Sequence, residues 1–242
     1  DELHEFSAQV HAATGRLCDP AALEQACAET TAADRLWHAC LDQAHGADAP
    51  WTDADAWAAM AAVVLARGTA EATAFYRDLL AELQQRRAAG AAALPGARHR
   101  LLFDGIPPWP ARRWLVDHLA ARGAVIAAST YTRSWSLRPE GADPWAALAG
   151  AYAWNTMSRP DAEVQDWAVA IARAASCGGV IAHRVRSCGE WTRSVRSRLD
   201  GLRAAGLAVA VVEGDTVDAA ALDRPRAAAA LDALIAELER RP

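Results

Sequence analysis

Apolar residues recur in two rhythms along this chain, and the rhythm changes near residue 97. Up to about Gly90 the spacing is helical. In PAALEQACAETTAADRLWHACLDQAHG (20–46), Leu23, Ala26, Cys27, Leu36, Trp37 and Cys40 fall at spacings of three, four and near multiples. That pattern puts them on one face of a helix. Asp19-Pro20 is a good start signal, with Asp as cap and Pro in the first turn. Thr52 or Asp53 opens a second helix, DADAWAAMAAVVLARG, which ends at Gly68. Thr69 to Ala89 reads as a third, with Glu71, Arg77, Glu82 and Arg86 facing outward. GAAALPGA (90–97) then reads as a linker on its Gly and Pro content.

Beyond it, short apolar runs alternate with amphipathic stretches. The runs are HRLLFDG (99–105), AVIAAST (124–130), GGVIAHR (178–184) and LAVAVVEGD (207–215). Helical stretches lie between and after them, at 111–123, 143–154, 160–178, 189–206 and 224–241. The runs are continuous in their apolar residues, which marks parallel strands buried on both faces. The connections are long enough for right-handed crossovers. The expected fold is α/β: a four-stranded, doubly wound parallel sheet of order 2-1-3-4 over 98–242. A helical connecting and packing segment, 1–97, precedes it.

Composition narrows the class. The chain has 242 residues, 52% hydrophobic and 23% charged, with a formal net charge of −5. It is long enough for a substantial core and too apolar to be disordered. Arg is scattered rather than gathered with aromatics, which argues against nucleic acid. No apolar stretch approaches the roughly 18 residues of a membrane span. The opening DELHEF lacks the basic start and apolar core of a secretory leader. The chain begins at Asp1 rather than Met, so preceding residues stay open. The five cysteines (18, 27, 40, 177 and 188) form no C-x-x-C pair. A reduced, cytoplasmic protein is the expectation.

In open α/β sheets a ligand lies beyond the carboxyl ends of the strands, where strand order reverses. Four loops reach that edge: 104–109, 129–133, 183–188 and 213–216. The first and third flank the switch point. They supply the candidate binding residues Asp104, Gly105, Ile106, Pro107, Arg184 and Arg186, with Cys188 at the start of a helix. Nearby arginines and the helix N-terminus favour a thiolate at Cys188, as nucleophile or metal ligand. Cys27, Cys40 and Cys177 are expected in the core, and Cys18 as core or partly exposed filler. His183 is expected to be structural, His99 and His118 to lie at the surface, and Asp104 to form a turn. No G-x-G-x-x-G, G-x-S-x-G or Walker sequence is present.

The order of several segments resembles the 2-hydroxyacyl-CoA dehydratase D-component family, which includes benzoyl-CoA reductase small subunits. The segments are TGRLCDPAALEQACAETTAADRLW, HRLLFDGIPP, LAARGAVIAAST, DPWAALAGAY, SCGGVIAHRVRSCGEW, VEGDTVD and DRPRAAAALDAL. They span nearly the whole chain, matching the later part of a typical member. The resemblance implies an acyl-CoA thioester substrate and a homologous second subunit in a heterodimer. It also implies a 4Fe-4S cluster held by three cysteines, Cys188 among them, and an ATP-dependent activator protein that delivers an electron for radical dehydration or reduction. The chain departs from the pattern in its middle loop. AWNTMSRPD (153–161) has no cysteine where the family has one. Three readings stay open: an iron–sulfur enzyme subunit, a cluster-free relative acting as binding or partner subunit, and an unrelated α/β domain holding a small anion on Arg184 and Arg186.

Overall fold

The computed structural model describes residues 1–241; the side chains of Met157 and 190–197 lie outside the described set. The chain opens with α1 (Glu2–Thr14), α2 (Pro20–Asp42), α3 (Asp53–Ala59), α4 (Ala61–Leu65) and α5 (Ala70–Ala88). Asp19 caps α2, its carboxylate accepting from Ala21 N, with Pro20 in the first turn. Thr52 and Asp55 form a reciprocal capping box at α3.

The single helix expected over 53–68 breaks at Met60. Tyr76 supplies the reason. Its hydroxyl accepts from Val63 N at 2.8 Å and donates to Ala59 O at 3.0 Å. Those two groups would bond each other in an unbroken helix, so the hydroxyl stands in the ladder and divides it.

The second part runs β1 (His99–Asp104), α6 (Arg112–Ala120), β2 (Ala124–Ser129), α7 (Thr130–Ser134), α8 (Pro144–Ala153), α9 (Asp161–Ala174), β3 (Gly179–Val185), α10 (Gly189–Ala204), β4 (Ala208–Gly214) and α11 (Arg224–Glu239). The four strands pair in parallel in the order β2-β1-β3-β4, as the apolar runs predict. An irregularity between Leu101 and Leu102 leaves Ala127 without a partner in β1.

Alternation along each strand sends side chains to two apolar layers. Leu101, Phe103, Ile126, Ile181 and Val212 pack with α3, α6 and α11. Leu102, Val180 and Ala182 pack with α9 and α10 on the other face. Both central strands are therefore covered twice, which explains why their sequences do not alternate. Trp57 of α3 joins the first layer and meets the Phe103 ring at 4.9 Å. A third cluster, around Trp37, Cys40 and Tyr76, lies among the early helices. Each fully buried side chain of this kind contributes on the order of 1.5–3 kcal/mol. Among the described residues no helix is long and apolar enough to cross a membrane.

Two surface expectations fail. His118 and His99 have side chains only 10% and 11% exposed. His118 Nε2 lies 2.8 Å from Asp232 Oδ1, and His99 Nε2 lies 3.8 Å from Glu239 Oε1. Both carboxylates come from α11, more than a hundred residues away, so local pattern carries no sign of them.

Candidate functional site

Strand order reverses between β1 and β3, and a cavity of about 120 Å³ opens beside that point. Gly105 and Ile106 line it from the loop after β1. Tyr131, Ser134 and Trp135 come from α7 and its end. Asn155 and Thr156 come from the loop after α8, and Cys188 from the loop after β3. Three of the four loops expected at this edge reach the cavity, together with the middle loop.

The turn at α7 is held from several sides. Ser129 caps it, accepting from Thr132 N at 3.1 Å. Ser129 Oγ donates to Asp53 Oδ1 at 2.6 Å, and Thr132 Oγ1 lies 3.2 Å from both Asp53 oxygens. Thr130 Oγ1 donates to Asp104 Oδ1 at 2.9 Å and accepts from Gly105 N at 3.2 Å. Trp37 Nε1 donates to Thr132 O at 3.1 Å. Ser129, Thr130 and Thr132 have no exposed surface. Burial pushes the Asp53 carboxyl up to about 6, against the hydrogen bonds from Ser129 and Thr132. With its neighbours so fixed, Tyr131 sits between Trp109 and Trp135, each ring centroid 6.1 Å away. Burial raises the Tyr131 phenol above its usual range.

The expected site residues divide. Gly105, Ile106 and Cys188 line the cavity. Gly105 has φ 118°, a conformation that favours glycine. Asp104 does not end a simple turn. It is 1% exposed, with Oδ2 lying 3.4 Å from Nη2 of Arg198, itself 2% exposed on α10. Pro107 is buried and does not line the cavity. Arg184 turns to the β3–β4 surface, where Nη1 donates to Glu213 Oε1 at 2.6 Å. Arg186 is exposed and also lies off the cavity. The anion site expected from these two arginines is therefore not assembled at this cavity.

His183 is fully buried near the end of β3. Its Nδ1–H donates to Ile106 O at 2.5 Å, and burial lowers its pKa. Asp215 accepts from Ser187 N at 3.2 Å and Val217 N at 3.0 Å, anchoring the loop before Cys188. Hydrogen bonding led by Ser187 holds that carboxyl down at about 2.

Cys188 is half-buried and occupies the N-cap position of α10. Cys27, Cys40 and Cys177 are buried, and Cys18 is exposed. Among the described residues no group of three or more His, Cys, Asp or Glu side chains converges as a metal site. Cys188 is the one thiol among the described residues lining the cavity, whereas a four-iron cluster takes several thiolates. Tyr131, Ser134 and Trp135 went unsingled in the sequence. The available signal was the row of hydroxyls at 129, 130, 132 and 134 directly after an apolar run.

A doubly wound parallel sheet with a small cavity at its switch point is a ligand-binding architecture. Comparison makes the class specific. Residues 1–229 match the family model of the 2-hydroxyglutaryl-CoA dehydratase D-component, and the chain belongs to that family. It is 30% identical over 185 residues to the (R)-2-hydroxyglutaryl-CoA dehydratase subunit alpha of Acidaminococcus fermentans, covering 76% of this chain and 38% of that one. It is 26% identical over 190 residues to the (R)-2-hydroxyisocaproyl-CoA dehydratase alpha subunit of Clostridioides difficile, covering 77% and 46%. It is 25% identical over 214 residues to the (R)-phenyllactyl-CoA dehydratase alpha subunit of Clostridium sporogenes, covering 87% and 51%. The matches thus span about half or less of each relative's length.

Proposed function

We propose that this chain contributes an acyl-CoA-binding unit to a 2-hydroxyacyl-CoA dehydratase- or benzoyl-CoA reductase-like enzyme. The observation that carries the reading is a convergence. The Cys188 turn, a segment of the family resemblance, and the middle loop, where the chain departs from that resemblance, meet at one cavity on the switch-point edge of the sheet. In this reading the chain works in the cytoplasm beside a homologous second subunit, as the relatives' designation as alpha subunits suggests. The relatives' names carry three kinds of acyl end: dicarboxylic, branched aliphatic and aromatic.

Cys188 is the candidate ligand for a 4Fe-4S cluster, in an enzyme that an ATP-dependent activator would supply with electrons. The remaining thiolates would have to come from outside the described cavity lining. A second reading is a cluster-free binding or partner subunit. Asn155 and Thr156 favour it, because they line the cavity in the loop where the resemblance expects a cysteine.

Iron and sulfide analysis of the anaerobically isolated protein, with any chain that accompanies it, separates the two. Iron that is lost in Cys188→Ser supports the first reading. Iron-free protein that still binds acyl-CoA supports the second. Unchanged iron in Cys188→Ser refutes Cys188 as a ligand. Failure to bind any CoA thioester refutes the acyl-CoA reading in both forms.

A further inference from the structure

We infer that the switch-point cavity receives the acyl end of the thioester and selects an apolar chain, branched alkyl or phenyl, over one ending in a carboxylate. The inference rests on the acyl-CoA reading above and adds the class of acyl group.

Size is the first argument. An apolar cavity on the order of 150 Å³ holds a benzene ring. The present cavity, about 120 Å³ and open at one side, fits about four to six carbons. Shape is the second. Tyr131 and Trp135 form two walls, with ring planes 84° apart and centroids 6.1 Å apart. Ile106 adds an aliphatic surface, and Gly105 leaves the wall without a side chain. The raised phenol of Tyr131 is what a poorly hydrated wall produces.

Charge is the third. Among the described residues the lining carries no Lys, Arg or His. The Ser134 and Thr156 hydroxyls are engaged internally: Ser134 Oγ donates to Thr130 O at 2.7 Å, and Thr156 Oγ1 donates to Ser134 Oγ at 3.4 Å. The buried guanidinium of Arg198 lies against Asp104 instead. A carboxylate placed against these described walls would lose water without gaining a cation from them, which strongly disfavours it. An isocaproyl or phenylpropionyl tail loses nothing polar.

The test is calorimetric titration of the isolated protein, with any accompanying chain, against CoA, isocaproyl-CoA, 3-phenylpropionyl-CoA and glutaryl-CoA. Isocaproyl-CoA or phenylpropionyl-CoA is expected to bind at least about tenfold more tightly than CoA, since a single well-placed methylene is worth roughly that much. Glutaryl-CoA is expected to gain nothing over CoA. Trp135→Ala should remove most of the apolar advantage. Thr156→Lys, a change on an adjoining loop, should raise glutaryl-CoA above isocaproyl-CoA. Glutaryl-CoA binding as tightly as isocaproyl-CoA in the unmodified protein overturns the inference and leaves acyl-CoA binding intact. So does equal binding of CoA and both apolar thioesters. Binding of none of the four overturns the acyl-CoA reading itself.

Discussion

Asp53 Oδ1 accepts a hydrogen bond from Ser129 Oγ at 2.6 Å, joining residues 76 positions apart. The contact ties the N-terminus of α3 to the carboxyl end of β2. Through Ser129 and Thr132 it sets the turn that presents Tyr131 and Trp135 to the cavity. The early helices are thus part of how the site is built, as well as a cover for the sheet.

The same carboxyl gives the chain an unusual response to pH. Burial raises Asp53 from 3.8 to about 6, so its contribution to stability is fully present below pH 3.8 and is lost as pH rises through about 6. His38 acts in the opposite sense. Burial lowers it from 6.5 to about 4, so its contribution is present above pH 6.5 and is lost as pH falls through about 4. The two contributions act in opposite directions across the same window. Denaturant unfolding of Asp53→Asn should show stability rising from pH 4 to 6.5 more steeply than in the parent. An unchanged slope would contradict the placement of a titrating Asp53.

Arg198 and Asp104 form a buried pair between α10 and the end of β1. Arg198→Met leaves the carboxylate without this charge partner and should cost about 3–5 kcal/mol. Arg198→Met with Asp104→Asn should recover a large part of that loss. Urea midpoints for the parent, the two single variants and the double variant measure the coupling.

Two glycines predict opposite outcomes. A Cβ at Gly179 would lie 3.1 Å from both Leu101 Cδ2 and Leu234 Cδ1, inside the first apolar layer. Gly179→Ala should therefore cost about 1–3 kcal/mol through overpacking. At Gly201, within α10, the obstacle is the movable amide end of Gln165. Gly201→Ala also gains about 1 kcal/mol of helix propensity, so it should be neutral or stabilising. Thermal midpoints of the two variants decide the comparison.

The five thiols should separate by reactivity. Cys18 is exposed and should react first with a disulfide reagent, followed by half-buried Cys188. Cys27, Cys40 and Cys177 are buried, and burial pushes Cys40 and Cys177 to about 12, where the thiolate is scarce. Cys188→Ser should delete the slower native phase alone. Rapid modification of a third thiol in the folded protein would contradict this burial pattern.

Local order was legible in the residues. Four continuous apolar runs separated by amphipathic stretches determined four parallel strands, their crossovers and the edge where sheets of this kind hold ligands. They also put Cys188 at that edge, next to a helix start. Burial on two faces leaves this imprint because consecutive positions of a central strand, not alternate ones, face apolar layers, whatever covers them. What covers it, and which polar groups meet, leaves no periodic trace. Tyr76 divides a helix by bonding Val63 and Ala59; Arg184 turns away to Glu213; His118 finds Asp232; Asp53 finds Ser129. Each partner lies between 13 and 114 residues distant. Sequence periodicity determined which faces are buried. Only the tertiary structure decided which side chains share an interior, because hydrogen bonds and ion pairs depend on ångström-scale distances between elements far apart along the chain.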